Sequence, residues 1–199
     1  MSAPKPPAHR PSQATDKRRS TLSGVTVQVK HYVQEPFEDS QEYADVFGIA
    51  RDLLAHLNSP QVQNLIQTAN APGLSSAMVQ NTFLAQAREL GFVDESRGLF
   101  EAYDNRAVRP DYYRSVGDSG ILLEVERGKT TINNMDFLDF WKCHLCEQAN
   151  YLFLMVPQAL RQNESMAPRH EFNAVVKRLG SFFVPRNYTN VRGLTVFGY

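Results

Sequence analysis

The sequence predicts an α/β fold: a mixed β-sheet flanked by helices, with an N-terminal helical addition. Three observations carry this. From Ser75 onward the patterning runs helix, strand, strand, strand, helix, strand, helix, and such alternation builds a layered α/β domain. Residues 151–156 (YLFLMV) form a continuous apolar run closed by Pro157, the pattern of a strand covered on both faces. Residues 112–125 hold two strand-forming runs around a turn centred on Gly117-Asp118.

Taken in order, residues 1–24 contain Pro4, Pro6, Pro7 and Pro11 and the run Lys17-Arg18-Arg19. That composition cannot bury a core and predicts a disordered basic tail. Residues 25–72 read as an N-terminal strand and helical addition. Val25, Val27 and Val29 alternate with Thr26, Gln28 and Lys30, which predicts a strand over 25–33. Tyr43, Val46, Phe47, Ile49, Leu53, Leu54 and Leu57 recur at helical spacing, so a helix is expected over 38–57. Asn58-Ser59-Pro60 ends it, and Pro60 opens a second helix to about Ala69. Ala71-Pro72-Gly73 is a break.

Residues 73–199 form the expected α/β core. A Ser cap, then Met78, Phe83, Leu84, Ala87 and Leu90 with Gly91 behind them, predict a helix over 75–90. One or two short strands follow within 92–103, with a turn over 95–98. Beyond the hairpin, Asn133 or Asn134 caps a helix to about Ala149. Its expected buried residues are Leu138, Trp141, Leu145 and Ala149, with Asp136 and Asp139 near the positive end of its dipole. A further helix over 169–179 and a strand over 194–197 complete the chain, which has no internal repeat.

The chain has 199 residues, 42% of them apolar, enough for one domain with a proper core. No run of the ~18 apolar residues a spanning helix needs is present, so no membrane partner is expected. The N-terminus lacks an apolar signal core and the chain holds two cysteines, which together predict a cytoplasmic protein. Formal net charge is zero, yet both ends are basic and the middle is acidic. Such a layout lets the ends grip a polyanion while the acidic middle holds cations.

The hairpin concentrates the chemistry. A turn centred between 117 and 118 sets Asp111 opposite Glu124, with Cβ atoms roughly 5 Å apart. Glu126 shares their face by the period of two, and Arg109 falls opposite Glu126. Like charges facing each other destabilise a strand pair and push protons onto one another. A hard divalent cation held by oxygen ligands relieves this.

On Pro110-Asp111, the gap that follows, Glu124-Val125-Glu126, and the helix and apolar strand beyond, the sequence resembles the PD-(D/E)XK nuclease superfamily, type II restriction endonucleases among them. The resemblance covers about 75–157. It implies a restriction endonuclease-like fold, DNA as partner, room for a homodimer, and Mg2+ held by Asp111, Glu124 and the Val125 main chain. It implies metal-dependent DNA endonuclease activity, hydrolysing phosphodiester bonds, with Glu126 orienting or deprotonating the attacking water. Glu89 corresponds to an additional acid that some members carry. The family usually has Lys where this chain has Glu126, so Lys129 or Lys142 is expected to supply the ammonium. Arg109 is expected to neutralise the acids or to contact phosphate. The alternative is a non-catalytic DNA-binding or assembly protein on the same fold. Cys143-His144-Leu145-Cys146 has metal-knuckle spacing but lacks a companion pair, which favours plain packing cysteines.

Overall fold

The computed structural model describes residues 26–71, 73–94, 98–101, 103, 108–128, 130–160, 167–187 and 189–199. The expected basic tail, Lys129 and residues 95–97 of the expected turn lie outside the described residues. The elements run β1 Gln28–Val33, α1 Gln41–Leu57, α2 Pro60–Ala69, α3 Ser76–Glu89, β2 Val93–Asp94, β3 Tyr112–Val116, β4 Ser119–Val125, α4 Met135–Leu145, β5 Tyr151–Val156, α5 Glu171–Gly180 and β6 Gly193–Gly198. The strands form one mixed six-stranded sheet in the order β1-β6-β5-β4-β3-β2. β4, β5 and β6 run parallel, and the other neighbours pair antiparallel. The chain is therefore α/β, with helices on both faces of a mixed sheet.

β5 takes the centre because it is apolar on both sides, and every residue of it is buried. On one face Ile121, Leu123, Phe153 and Met155 pack with Leu53, Leu57, Phe83 and Ala87 of α1 and α3. On the other, Leu122, Leu152, Leu154 and Val196 pack with Phe140 and Cys143 of α4 and Val175 and Leu179 of α5. The N-terminal addition is not a separate layer, since β1 pairs with β6 and α1 and α2 share the core of α3.

The hairpin keeps the expected register: Tyr112 faces Leu123 and Val116 faces Ser119. Gly117 adopts φ +56°, which favours glycine. Gly120 is needed for a different reason. A Cβ there would meet the carbonyl oxygens of Arg114 and Gln148, each at 2.8 Å.

α4 departs from expectation in length and in face. It ends at Leu145, well short of Ala149, and Asn134 at its start sits at φ 56° with no side-chain cap bond. Leu138, Trp141 and Leu145 are 46%, 46% and 48% exposed. The buried face is Asp136, Asp139, Phe140, Lys142 and Cys143. Three charged residues face inward because they find partners there, and paired charge tolerates burial that unpaired charge does not.

Candidate active site

Asp111 stands one residue ahead of β3, and Glu124 is the penultimate residue of β4. They hold each other crosswise. The Asp111 N–H donates to Glu124 Oε2 (3.3 Å), and the Val125 N–H donates to Asp111 Oδ2 (2.8 Å). Asp111 and Val125 thus enter the site together, Val125 through its main chain.

α4 brings two more groups to the same place. Asp139 and Lys142 are three residues apart and share a helical face. Lys142 Nζ lies 3.0 Å from Glu124 Oε1 and 2.8 Å from Asp139 Oδ1. All three side chains are removed from water: 3% exposed for Glu124, 0% for Asp139 and 10% for Lys142. Asp139 Oδ2 is buried and has no hydrogen-bond donor among the described residues.

Glu126 follows β4 directly. Its N–H donates to the Met155 carbonyl and its own carbonyl accepts the Tyr199 hydroxyl, both at 2.8 Å. Its side chain meets the Asp139 carboxyl. Two carboxylates in contact have no donor between them unless one carries a proton or a cation intervenes.

The cluster therefore sets four acids against one ammonium. Burial raises the pKa of Asp111, partly offset by the Val125 N–H and by Lys142. Burial, with Asp139 adding repulsion, holds Glu124 well above the ordinary range. Glu126 is pushed up to about 8 by burial and then by Asp139, and Asp139 to about 6 by burial against the pull of Lys142. Burial works against the Lys142 ammonium, but Glu124 and Asp139 outweigh it and keep its pKa above the usual lysine value. Lys142 is thus a fixed positive charge.

The candidate ligands are carboxylate and carbonyl oxygens, the chemistry a hard divalent cation takes, although Glu124 Oε1, Glu124 Oε2 and Asp111 Oδ2 already accept from Lys142, the Asp111 N–H and the Val125 N–H. Among the described residues no three His, Cys, Asp or Glu side chains converge on one point. Mg2+ characteristically keeps several waters and is held by one or two carboxylates plus substrate phosphate, so the Asp111–Glu124 pair meets its minimum.

Other expected residues fare differently. Glu89 is exposed at the end of α3. The α3 side chain that reaches the site is Gln80, which hydrogen bonds Asp111 and accepts from the Tyr112 hydroxyl at 3.5 Å. Arg109 is exposed and joins no hydrogen bond or ion pair among the described residues, so the expected pairing with Glu126 does not form. Cys143 and Cys146 are both buried. Asp139 was legible only as a dipole partner, although the spacing Asp136, Asp139, Lys142 marks one helical face.

A second polar cluster holds the loop from β4 to α4. Arg178 reaches Asp136 with Nε at 2.9 Å and Nη2 at 3.2 Å, and also reaches Asn134 Oδ1 at 2.6 Å and the Thr131 carbonyl at 3.2 Å. Glu171 Oε2 accepts from Thr131 Oγ1 (2.8 Å) and the Thr131 N–H (3.2 Å), while Oε1 lies 3.3 Å from Arg169. These bonds fix where α4 begins, and with it the position of Asp139 and Lys142.

No family model matches the chain, and neither a curated protein nor a solved structure does.

Proposed function

We propose that the chain is a metal-dependent DNA endonuclease of the restriction type, on a restriction endonuclease-like fold. The observation that carries this is the pair of half-buried Asp111 and buried Glu124, with Lys142 bound to Glu124. The order α3, β2, β3, β4, α4, β5 agrees with what the resemblance implies, and the register of the acids agrees with the motif.

Asp111, Glu124 and the Val125 main chain would hold Mg2+. A cation bound there would polarise the scissile phosphodiester and lower the pKa of a bound water. Glu126 accepts the proton of the attacking water, and a pKa near the working pH suits a general base. As the water oxygen bonds to phosphorus, the bond to the leaving oxygen breaks and that oxygen departs with the charge. Lys142 stabilises the negative charge that builds on the phosphate; held charged by two carboxylates, it does not serve as the base. Lys142 lies 3.0 Å from Glu124 Oε1, and Lys129 lies outside the described residues.

Plasmid DNA with Mg2+ tests this directly. The parent should cut. Asp111→Asn, which keeps shape and removes charge, should lose more than the ~10–100-fold typical of an outer-shell change. Lys142→Met should also lose cutting. DNA retention without strand scission by the parent would favour the non-catalytic alternative, and unaltered cutting by Asp111→Asn would sink the site.

A further inference from the structure

Lys142 is bound to an oxygen that a divalent cation would need. Both carboxylate oxygens of Glu124 are engaged: Oε1 lies 3.0 Å from Lys142 Nζ, and Oε2 accepts from the Asp111 N–H at 3.3 Å. Asp111 Oδ2 accepts from the Val125 N–H at 2.8 Å. These donors are not equivalent. The two N–H groups belong to the backbone where β3 begins and β4 ends, and they are uncharged. A carboxylate oxygen has lone pairs enough to accept such an N–H and bind a cation as well. The ammonium brings a full positive charge to its oxygen, and that charge is fixed. Mg2+ sits ~2.1 Å from a ligand oxygen, so Mg2+ and Nζ on the same Glu124 oxygen would lie within ~5 Å of each other. Two cations that close, away from bulk water, repel strongly.

The ammonium has a second partner to hold it. Asp139 Oδ1 is 2.8 Å from the same Nζ. Asp139 and Lys142 both stand on α4, so their contact lies within one helix, whereas the contact with Glu124 joins α4 to β4. α4 itself is seated by Phe140 and Cys143, each fully buried. Moving Nζ off Glu124 therefore needs only rotation of a flexible four-carbon stem and leaves the helix in place. The ammonium stays paired with Asp139 as it moves, so no bare buried charge is left behind.

We infer that Lys142 is the resident counter-cation of this site: it competes with the divalent cation for Glu124, and binding of that cation shifts the ammonium from Glu124 to Asp139 and the substrate phosphate. The place of the cation at Asp111 and Glu124 rests on the nuclease reading; the competition rests on the distances. Lys142 then has two effects of opposite sign. It weakens cation binding by the DNA-free chain, and it stabilises charge on the phosphate when DNA is bound.

Mg2+ titrated into the full chain without DNA, followed by calorimetry, tests this. Lys142→Met should bind Mg2+ about tenfold more tightly than the parent, although it no longer cuts. Lys142→Gln is the second neutral variant; it keeps a donor for Glu124 or Asp139 and should gain in the same direction. Lys142→Arg keeps the charge and should bind no more tightly than the parent. A neutral variant too unstable to titrate is read by its melting temperature, which Mg2+ should raise further than it raises the parent's. Binding by both neutral variants no tighter than the parent's, or a gain in Lys142→Arg equal to that in Lys142→Met, overturns the inference. Plasmid cutting by the parent reads the nuclease proposal separately. A parent that cuts, with no gain in the neutral variants, removes the competition alone. A gain in the neutral variants, with a parent that does not cut, removes the nuclease reading alone.

Discussion

Two buried polar clusters along the inner face of α4 differ in stoichiometry more than in burial. In the rear cluster, at the first turn of the helix, Asp136 and Glu171 are met by Arg178 and Arg169, and every carboxylate oxygen lies within 3.3 Å of an Arg nitrogen or a Thr donor, Asp136 Oδ2 and Glu171 Oε1 as ion pairs without hydrogen-bond geometry. In the front cluster, further along the helix, Asp111, Glu124, Glu126 and Asp139 are met by one cationic side chain among the described residues, Lys142. The first is balanced and pins the chain at Thr131 and Asn134, ahead of α4. The second carries three negative charges in excess when all four acids are ionised, an excess that one divalent cation together with one proton would balance. Burial of acids therefore does not mark a reactive site by itself; an uncompensated excess of acid does.

Neutralising one acid in each cluster is the sharpest way to break this contrast. Asp136→Asn removes one partner of a buried pair and should cost ~3 kcal/mol, the low end for such a change because the amide keeps an acceptor. Urea denaturation would read it, and a loss under ~1 kcal/mol would show that the rear cluster is not held by charge.

Glu126→Gln should act with the opposite sign, and only at higher pH. The folded-state pKa of Glu126 is about 8 against an ordinary 4.5, so between those values the folded protein holds a proton that the unfolded chain releases. That contribution is full below about 4.5 and is lost as pH rises towards about 8. Asp139 adds a parallel loss between 3.8 and about 6. Metal-free Glu126→Gln should match the parent near pH 5 and melt ~2–4 °C higher near pH 8, about 1 kcal/mol after solvent screening. A mutant that tracks the parent across the whole range would show that the front cluster carries no excess charge.

The smallest effect belongs to the outer face of α4. Trp141→Ala removes a ring that is 46% exposed, so it should change stability by no more than ~1 kcal/mol, far less than truncating a core aromatic. A cost of several kcal/mol would mean that the outer face, and not the charged inner face, seats the helix.

Where local chemistry decides, the sequence was readable. The turn at Gly117 and the strand formers beside it set the hairpin register, and with it the meeting of Asp111 and Glu124. The apolar run of β5 and the Pro60 start of α2 hold to the residue. α4 was misread because two stripes compete on it. Leu138, Trp141 and Leu145 offer an apolar face, whereas Asp136, Asp139 and Lys142 offer a charged one. Only the tertiary partners Glu124 and Arg178 decide between them. The same ambiguity hid which lysine meets Glu124. Glu89 fails for a simpler reason. α3 buries Val79, Phe83 and Ala87, and a residue two positions beyond Ala87 lies on the opposite side of the helix.

The joining of β1 to β6 bears on the order in which the molecule opens. Asp111 and Glu124 are 13 residues apart, whereas His31 meets Thr195 (3.0 Å) across 164. Closing the longer loop costs more entropy, so β1 docks after the hairpin has formed and departs before it. Native-state hydrogen exchange should then find the β1 amides released in a sub-global opening, while those of β4 exchange only on complete unfolding. The acid pair belongs to the part of the chain that stays assembled through such excursions.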